Sequence, residues 1–176
     1  MAFMRLLPYF FCLVLAAATL SPAVLAQPAT ASPDIARSQS NVETVLVDGR
    51  TAEAIQINTA QGSFHFTAEI AETPQQTERG LMFRQTMPPT HGMLFDFGDP
   101  RLVTMWMKNT PLSLDMVFLS RSGEVVHIAE RTKPFSQAII SSGGAVSAVL
   151  EINAGVSKLI GLKIGDRLEH RIFATP

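Results

Sequence analysis

The chain is short of the residues on which many kinds of site depend. Its 176 residues include one cysteine, one tryptophan and one tyrosine. Cys12 and Tyr9 both lie in the N-terminal apolar stretch, so a chain that loses this stretch has no thiol and no tyrosine. Without a thiol it can form no disulfide, use no cysteine nucleophile and offer no cysteine ligand to a metal. A packed domain must then be held together by its own apolar core.

Motifs of covalent catalysis and of metal binding are missing as well. The sequence contains no Gly-x-Ser-x-Gly, and its four histidines show neither H-x-H nor H-E-x-x-H spacing. Without Arg5 of the N-terminal stretch, 13 basic residues stand against 15 acidic ones, a net charge of −2 with no basic tract. This balance argues against nucleic acid or an anionic membrane as the main partner. We predict no metal site and no cofactor.

The N terminus has the pattern of a secretory signal peptide. Met1–Arg5 is a short start with one positive charge, Leu6–Leu20 is almost wholly apolar, and small residues precede Gln27. The apolar run is shorter than the ~20 residues that span a bilayer, so we expect cleavage near Ala26 rather than a membrane anchor. The sequence thus predicts an exported chain, periplasmic or secreted, with no stable membrane insertion after cleavage.

Residues 27–53 are predicted to form a tether before a single domain. Their first part is rich in Ala, Ser, Pro and Gln and shows no periodicity, which indicates a flexible segment. Val45-Leu46-Val47, followed by Asp48-Gly49, is typical of a short edge strand and turn. No partner protein and no oligomeric state is predicted from these patterns.

Residues 54–176 carry the pattern of a β-rich domain. Apolar residues alternate with polar ones in seven or eight short segments, which include residues 55–57, 64–70, 93–97 and 112–118. Turn residues separate them, among them Gly98-Asp99-Pro100. Two stretches break the alternation and predict short helices, one from a capping box of Thr73 and Gln76 to about Phe83 and one from Asn153 to Gly161. The sequence therefore predicts a mostly β, β-rich α+β fold: a compact, small, mostly antiparallel β-barrel or sandwich with two short helices.

Four segments in order resemble a known family. They are Glu78-Arg79-Gly80-Leu81-Met82-Phe83-Arg84, Gly92-Met93-Leu94-Phe95-Asp96-Phe97, Met105 to Asp115, and Leu150-Glu151-Ile152-Asn153-Ala154-Gly155 with Gly161-Leu162-Lys163-Ile164-Gly165-Asp166. Together they resemble domain-of-unknown-function family 192, over about residues 54–173. Departures are small: Met105 replaces a usual aromatic, and Leu112-Ser113-Leu114 replaces Ile-Pro-Leu. The resemblance implies a compact β-rich fold with no established activity.

The last of these segments also resembles the GD-box turn of cradle-loop β-barrels. Gly161 is suited to end a helix in a left-handed conformation, and Gly165-Asp166 is suited to turn the chain into a strand. The resemblance implies a cradle-loop-like arrangement of the barrel.

Polar side chains collect around the single tryptophan. Trp106, Lys108, Asn109 and Asp115 fall within ten residues, between two strand-like apolar runs. One interpretation is a core tryptophan on a strand, with Lys108 and Asn109 in an exposed turn. The other makes the four residues one wall of a ligand pocket, with a cation, an amide and a carboxylate that orient the ligand.

Three further charged residues are candidates for the same site. Arg79 and Arg84 flank Gly80 at the predicted helix end, where each is either a surface cation near the helix C-terminus or a partner of Asp115 or Glu151. Glu151 alternates with apolar neighbours, so it lies on a solvent face or is a buried acid. The predicted ligand-binding set is Arg79, Arg84, Trp106, Lys108, Asn109, Asp115 and Glu151.

These observations favour a non-catalytic binding or accessory module of the cell envelope, with a small-molecule or envelope ligand. One alternative is a hydrolase of glycosidic or similar bonds with Asp115 and Glu151 as its acid/base pair, although aromatic platforms for sugars are scarce. A second alternative is Cu(I) binding by the six methionines between Met82 and Met116, of which Met105 and Met107 are predicted to share a strand face. Methionine is also an ordinary core residue.

Overall fold

The computed structural model describes residues Thr44–Val45 and Arg50–Phe173, all of which lie in the unit Gln39–Pro176. These residues form eight strands and two short helices, joined by turns and loops. The predicted signal peptide and most of the predicted tether lie outside these residues. The strands are β1 (Thr44–Val45), β2 (Thr51–Thr59), β3 (Gly62–Ala71), β4 (His91–Met105), β5 (Leu114–Leu119), β6 (Val125–Ala129), β7 (Ile140–Asn153) and β8 (Arg167–Glu169). The helices are α1 (Pro74–Arg79) and α2 (Val156–Leu159).

The strands join one curled sheet. Its order is β1-β2-β3-β4-β7-β5-β6, with β8 paired to β2, and the seven strands of this path form a half-barrel. Strands β3 and β4 pair in parallel, whereas the other named strand pairs are antiparallel. The prediction of a mostly β, mostly antiparallel fold with two short helices is confirmed. Strand β1 overlaps the predicted edge strand at Val45, whereas Leu46 and Val47 lie outside the described residues. Strand β2 begins at Thr51.

The sheet is buried on both faces at its centre, in residues 92–95 of β4, 114–119 of β5 and 146–152 of β7. One face contributes to a first core, which includes Ile55, Ile57, Phe66, Leu94, Val117, Leu150, Ile152 and Leu168. The opposite face contributes to a second core, which includes Leu81, Met93, Phe95, Met107, Met116, Phe118 and Val149. Because successive side chains of a strand alternate between faces, a polar residue in these strands enters one core or the other. This rule decides the positions of Asp115 and Glu151.

Helix α1 begins at the predicted capping box. Thr73 accepts a hydrogen bond from the backbone N–H of Gln76 (3.3 Å), and the Gln76 side chain accepts one from the backbone N–H of Thr73 (3.1 Å). The helix ends at Arg79, so its predicted extension to Phe83 is wrong. Gly80 ends it with a φ of 46°, and a Cβ atom there would lie 3.1 Å from the Phe95 ring.

The chain from β3 to β4 crosses over the second core. Residues 72–90, which contain α1, connect these two parallel strands, and Leu81 and Met87 of the crossover bury their side chains in the second core. Parallel strands require such a crossover because their ends lie at opposite edges of the sheet. The crossover therefore forms a roof over this face of β4 and β7.

Two element boundaries differ from the predicted ones. Strand β4 continues through the predicted turn at Gly98-Asp99-Pro100, because a register shift in its pairing with β7 absorbs the extra residues. It ends at Met105, so Trp106 lies just beyond the strand and not within it. Helix α2 is capped by Gly155 in a left-handed conformation, not by the predicted Asn153.

The turn from α2 into β8 follows the glycine pattern. Gly161 and Gly165 have φ values of 66° and 94°. The Asp166 side chain accepts a hydrogen bond from the backbone N–H of Lys163 (2.7 Å) and so closes the turn. Within the described residues, no helix has the length and apolar character needed to cross a membrane.

Candidate functional site

A pocket of about 280 Å³ lies between the crossover and the second-core face of the sheet. It is lined by Pro74, Thr77, Glu78, Arg79, Gly80, Leu81, Met82, Phe95, Phe97, Thr104, Met105, Trp106, Thr110 and Glu151. Ligand sites for drug-sized molecules occupy roughly 300–1,000 Å³, so the dimensions suit a smaller molecule. The lining combines aromatic rings and thioethers with a few polar groups, as small-molecule sites do.

Trp106 is a half-exposed wall of this pocket. Its side chain is 48% exposed, so it is not a core tryptophan. The Lys108 Nζ atom lies 5.8 Å from the centroid of the Trp106 ring, within the range of a cation–π contact. Lys108 and Asn109 form the exposed turn that follows, as one interpretation of the sequence proposed. Lys108 therefore acts on the pocket through the tryptophan.

The turn after Trp106 is attached to two neighbouring loops. The carbonyl oxygen of Asn109 accepts a hydrogen bond from the backbone N–H of Phe83 (2.7 Å), and that of Thr110 accepts one from Phe135 (3.1 Å). Asn109, Phe83 and Phe135 all have positive φ angles, of 56°, 64° and 59°. Such angles are unfavourable for phenylalanine, so the surrounding hydrogen bonds hold the rim in a defined shape.

Glu151 is a buried acid at the inner side of the pocket. It is 4% exposed and lies on β7, with Met93 and Met116 as its register partners on the two neighbouring strands. Its carboxyl group makes no hydrogen bond or ion pair with another residue of the described chain. Burial raises the pKa of Glu151 from its ordinary value of 4.5 to about 8, so the protonated form predominates at pH 7.

Asp115 is fully buried and serves the fold. Its carboxylate accepts hydrogen bonds from the backbone N–H groups of Arg131 and Gly155, both at 2.8 Å. The backbone N–H and the hydroxyl group of Ser157 also donate to it, at 3.0 and 2.5 Å. These four bonds attach the loop after β6 and the start of α2 to β5.

Asp115 and Glu151 point to opposite faces of the sheet. Asp115 pairs with Ile152 of the first core, whereas Glu151 pairs with Met116 of the second core. Paired residues share a face and successive residues alternate, so the two carboxyl groups point away from each other. The predicted acid/base pair for hydrolysis of glycosidic bonds is therefore wrong.

The two candidate arginines take separate positions. Arg84 forms a bidentate ion pair with Glu69 of β3, and not with Asp115 or Glu151. The same Glu69 lies 3.4 Å from the guanidinium group of Arg50. No local sequence pattern links these residues, because β3 and the crossover meet only in the folded chain. Arg84 is thus part of a structural ion-pair cluster.

Arg79, by contrast, lines the pocket from the last turn of α1. Its side chain is exposed, and its guanidinium group makes no hydrogen bond or ion pair with a residue that the structure describes. The neighbouring Glu78 also lines the pocket. The pocket thus brings together Arg79, Trp106 and Glu151 of the predicted set. It adds Phe95 and Phe97. In the sequence, Met93, Phe95 and Phe97 occupy every second position, which indicated a core face but did not indicate an opening in it.

A second cavity of about 400 Å³ adjoins the pocket and shares Pro74, Thr77 and Phe97 with it. Arg101 lines this outer cavity, and its guanidinium carbon lies 5.0 Å from the centroid of the Phe97 ring. Phe97 therefore separates the pocket from a more polar outer groove.

The methionines are mainly packing residues of the second core. Met87, Met93, Met107 and Met116 are buried there. The Sδ atom of Met93 accepts a hydrogen bond from Arg50 and that of Met107 from Thr132, both at 3.2 Å. Within the described part of the chain, no group of three or more His, Cys, Asp or Glu side chains is placed to hold a metal ion. Copper binding is not supported by this arrangement of thioethers.

Residues 55–170 match the family DUF192, described as "Uncharacterized ACR". The chain belongs to the DUF192 family. All residues that line the pocket fall inside the matched range, so the pocket lies within the DUF192 domain of this chain. The suspected family is confirmed.

Two solved structures resemble this DUF192 chain. A protein from Sinorhizobium meliloti, described as a candidate transcription regulator, shares 50% identity with a TM-score of 0.67, over 68% of this chain and 94% of that one. A protein of unknown function from Novosphingobium aromaticivorans shares 31% identity with a TM-score of 0.72, over 76% of this chain and 96% of that one. The chain matches none of the curated proteins with which it was compared.

Proposed function

We propose that this DUF192 protein is an exported, non-catalytic binding module that holds a small molecule in the pocket beside Trp106 and Glu151. The proposal rests on one observation: the Glu151 carboxyl group is buried beside the pocket and has no partner in the described chain. A buried carboxyl group without a partner costs free energy, and such groups are retained mainly where they serve a site. Glu151 is buried, unpartnered within the described chain and placed against a pocket, which together support a ligand that supplies the missing partner.

Binding is favoured over catalysis by the composition of the pocket wall. No serine, cysteine, histidine or lysine occurs among its described lining residues. The catalytic pairs in which a serine or cysteine nucleophile lies beside a histidine or lysine base are therefore not formed there. The separation of Asp115 from Glu151 also removes the two-carboxylate mechanism in which these two residues form the acid/base pair. Nucleic acid is not proposed as a partner, because the chain has no basic tract.

Export to the cell envelope is supported by the N-terminal sequence alone. A basic start, an apolar run and small residues before Gln27 form the pattern that signal peptidases cleave. An envelope location suits a module that captures a small molecule from outside the cytoplasm.

The fluorescence of Trp106 tests the binding proposal directly. Trp106 is the only tryptophan in the chain and it lines the pocket, so its emission reports on this site. We expect at least one member of a library of small metabolites and glycan fragments to change the emission and raise the melting temperature. Leu102→Ala is a matched control, because Leu102 is an exposed apolar residue of β4 outside the pocket.

One combination of results would contradict the binding proposal. If no library member changes the emission or the melting temperature, and Glu151→Gln and Trp106→Ala fold with unchanged stability, then the pocket is only a surface depression. The binding proposal would then be abandoned.

A further inference from the structure

We propose that the ligand carries an organic ammonium group, which enters the pocket and uses Glu151 as its counter-ion. This inference rests on the proposed function of the pocket as a binding site. It adds the charge and the chemical class of the ligand.

Glu151 differs from other wholly or partly buried carboxyl groups of the fold, because it has no partner in the described chain. Glu69 is paired with Arg84 and Arg50, and Glu53 with Arg171. Asp115 is fully buried and accepts four hydrogen bonds. Glu151 is as enclosed as Glu69, yet it faces an opening instead of a protein cation. A cation that arrives through the opening supplies what the chain supplies elsewhere.

The charges around Glu151 favour a positively charged ligand. Two other charged residues line the pocket, Glu78 and Arg79 at the end of α1, and their charges offset each other. On the neighbouring strands, Glu151 meets the uncharged Met93 and Met116. Ionised Glu151 therefore leaves the lining with one negative charge in excess, which favours a positively charged ligand.

Arg50 is a buried cation that contacts Met93, the register partner of Glu151, and its guanidinium group is already engaged. Its Nη1 atom donates to the Met93 Sδ atom (3.2 Å) and to the carbonyl oxygen of Gly80 (3.1 Å), and its Nη2 atom lies 3.4 Å from Glu69. These contacts direct the guanidinium group towards Glu69, while Glu151 is left to a ligand.

Aromatic rings form part of the pocket wall beside Glu151. Phe95, Phe97 and Trp106 line the same pocket as Glu151, and ring faces attract cations. Two of these rings already hold a cation of the protein: Arg101 lies 5.0 Å from the Phe97 centroid and Lys108 lies 5.8 Å from the Trp106 centroid. Aromatic faces next to a carboxylate are the usual recognition elements for alkylated ammonium groups.

Binding of a cation at Glu151 is linked to the protonation of this side chain. Free Glu151 has a pKa of about 8, so about nine in ten of these side chains are protonated at pH 7. An ammonium group favours the ionised form, so its binding releases a proton. Affinity for a cation therefore rises as the pH increases to about 8 and then levels off. A neutral ligand that accepts a hydrogen bond from protonated Glu151 shows the opposite dependence.

The experiment compares cations with uncharged molecules of the same shape. The probes are choline, its carbon isostere in which a carbon atom replaces the quaternary nitrogen, butylammonium and butanol. Titration calorimetry of the full-length processed protein, in two buffers of different ionisation enthalpy, gives affinity and the number of protons released. We expect a cation to bind at least about tenfold more tightly than its isostere, and to release most of one proton at pH 7 and fewer protons at pH 9. Choline and butylammonium distinguish a methylated from a primary ammonium ligand.

Two variants assign the effect to one residue. Glu151→Gln is expected to lower cation affinity by at least about tenfold, to abolish proton release and to leave the isostere unaffected. Glu124→Gln, which changes an exposed carboxylate outside the pocket, is expected to leave both cation affinity and proton release unchanged, whereas Glu78→Gln tests the other carboxylate of the lining. The proton count is measured on the unaltered protein, so it does not depend on the folding of a variant.

The outcomes separate this inference from the proposed function. If uncharged library members bind beside Trp106 and neither cation does, the ammonium proposal is overturned and the binding module stands. If Glu78→Gln removes cation binding and Glu151→Gln does not, the counter-ion is misassigned and the proposal is likewise overturned. If no molecule of either kind binds, both proposals are overturned.

Discussion

Asp115 and Glu151 lie on adjacent strands, one register position apart, and their surroundings give them different chemistry. Asp115 faces the first core, where four donors stabilise its carboxylate. Glu151 faces the second core, where burial alone acts on it and raises its pKa to about 8. The alternation of side chains along a strand therefore separates a structural acid from a candidate ligand-binding acid.

Replacement of Glu151 by glutamine should remove a pH dependence of stability. The pKa of Glu151 is raised in the folded chain, so its contribution is fully present below about pH 4.5 and is lost as the pH rises to about 8. We expect Glu151→Gln to match the parent protein near pH 5 and to exceed its free energy of unfolding at pH 9 by on the order of 2–5 kcal/mol. Urea denaturation at pH 5, 7 and 9 measures this difference.

Glu78→Gln is the control for that measurement, because Glu78 is exposed on the same pocket. We expect its stability to change with pH as that of the parent protein does. Parallel stability curves for the parent and Glu151→Gln would show that Glu151 is ionised at ordinary cost in the folded chain.

Replacement of Asp115 by asparagine should damage the fold and spare the pocket. An amide accepts fewer of the four hydrogen bonds and places its NH₂ group against the backbone donors of Arg131 or Gly155. We expect Asp115→Asn to lower the free energy of unfolding by about 2–4 kcal/mol, with ligand-induced changes in Trp106 emission retained. Loss of those emission changes in a fully folded variant would contradict a purely structural role.

At the scale of elements, local patterns predicted most strands and one helix start. Alternation located β2, β3 and β5, and the Thr73–Gln76 capping box located α1. The patterns failed where distant chain segments decide the outcome. The length of β4 depends on its pairing with β7 and on a bulge, and the Arg84–Glu69 ion pair depends on the packing of the crossover against β3.

The pairing of β4 with β7 leaves no room for a side chain at Gly92. A Cβ atom there would lie 2.5 Å from the carbonyl oxygen of Glu151, so any side chain pushes the strands apart. We expect Gly92→Ala to lower the free energy of unfolding by at least about 2 kcal/mol and to weaken ligand binding at the pocket. Gly144→Ala is the matched control, because Gly144 lies on β7 with no atom within 4 Å of its Cβ position. Equal stabilities of the two variants would contradict this account.

The C-terminal segment is attached to β2 by ion pairs that should weaken in acid. Hydrogen bonds from Arg171, with smaller contributions from Thr51 and His170, lower the pKa of Glu53 to about 2. The stabilisation is therefore present above about pH 4.5 and is lost as the pH falls towards 2. Because Arg171 is half exposed, we expect Glu53→Gln to lower the free energy of unfolding at pH 7 by only about 1–2 kcal/mol.

Measurements between pH 2 and pH 7 test this expectation. The difference between Glu53→Gln and the parent protein should shrink as the pH falls below 4.5. His170 also contacts Glu53, and burial lowers its pKa, so Glu53→Gln should alter the titration of His170 seen by NMR. A constant difference across this range would contradict the ion-pair explanation.

At the scale of the molecule, the sequence predicted the fold class, the family and the neighbourhood of the site. It did not predict the pocket itself. The wall formed by Trp106 follows from a local segment, whereas the opposite wall belongs to the crossover and Glu151 belongs to β7. Alternation left Glu151 either exposed or buried, because it cannot show that both faces of a sheet are covered. The positions of Arg79, Trp106 and Glu151 around one opening result from the complete topology.

Export is the prediction that belongs to the whole chain. Expressed in a bacterial host with its own N terminus, the protein should be recovered outside the cytoplasm with Gln27 as its first residue. Fractionation and mass spectrometry of the intact protein measure this. Ala26→Arg, which places a large cation at the expected cleavage position, should retain the N-terminal segment. Recovery of the parent chain in the cytoplasm with its first 26 residues intact would contradict the prediction.

The crossover that roofs the pocket also links ligand binding to the lifetime of the folded chain. Residues 72–90 can cover the second core only when β3 and β4 have paired across this separation in sequence, and non-local pairings of this kind form slowly. The pocket is therefore complete only in the native state, and a ligand adds its stabilisation there. Such a ligand slows unfolding and leaves the refolding rate unchanged, so it would protect the protein from proteolysis without hastening its formation.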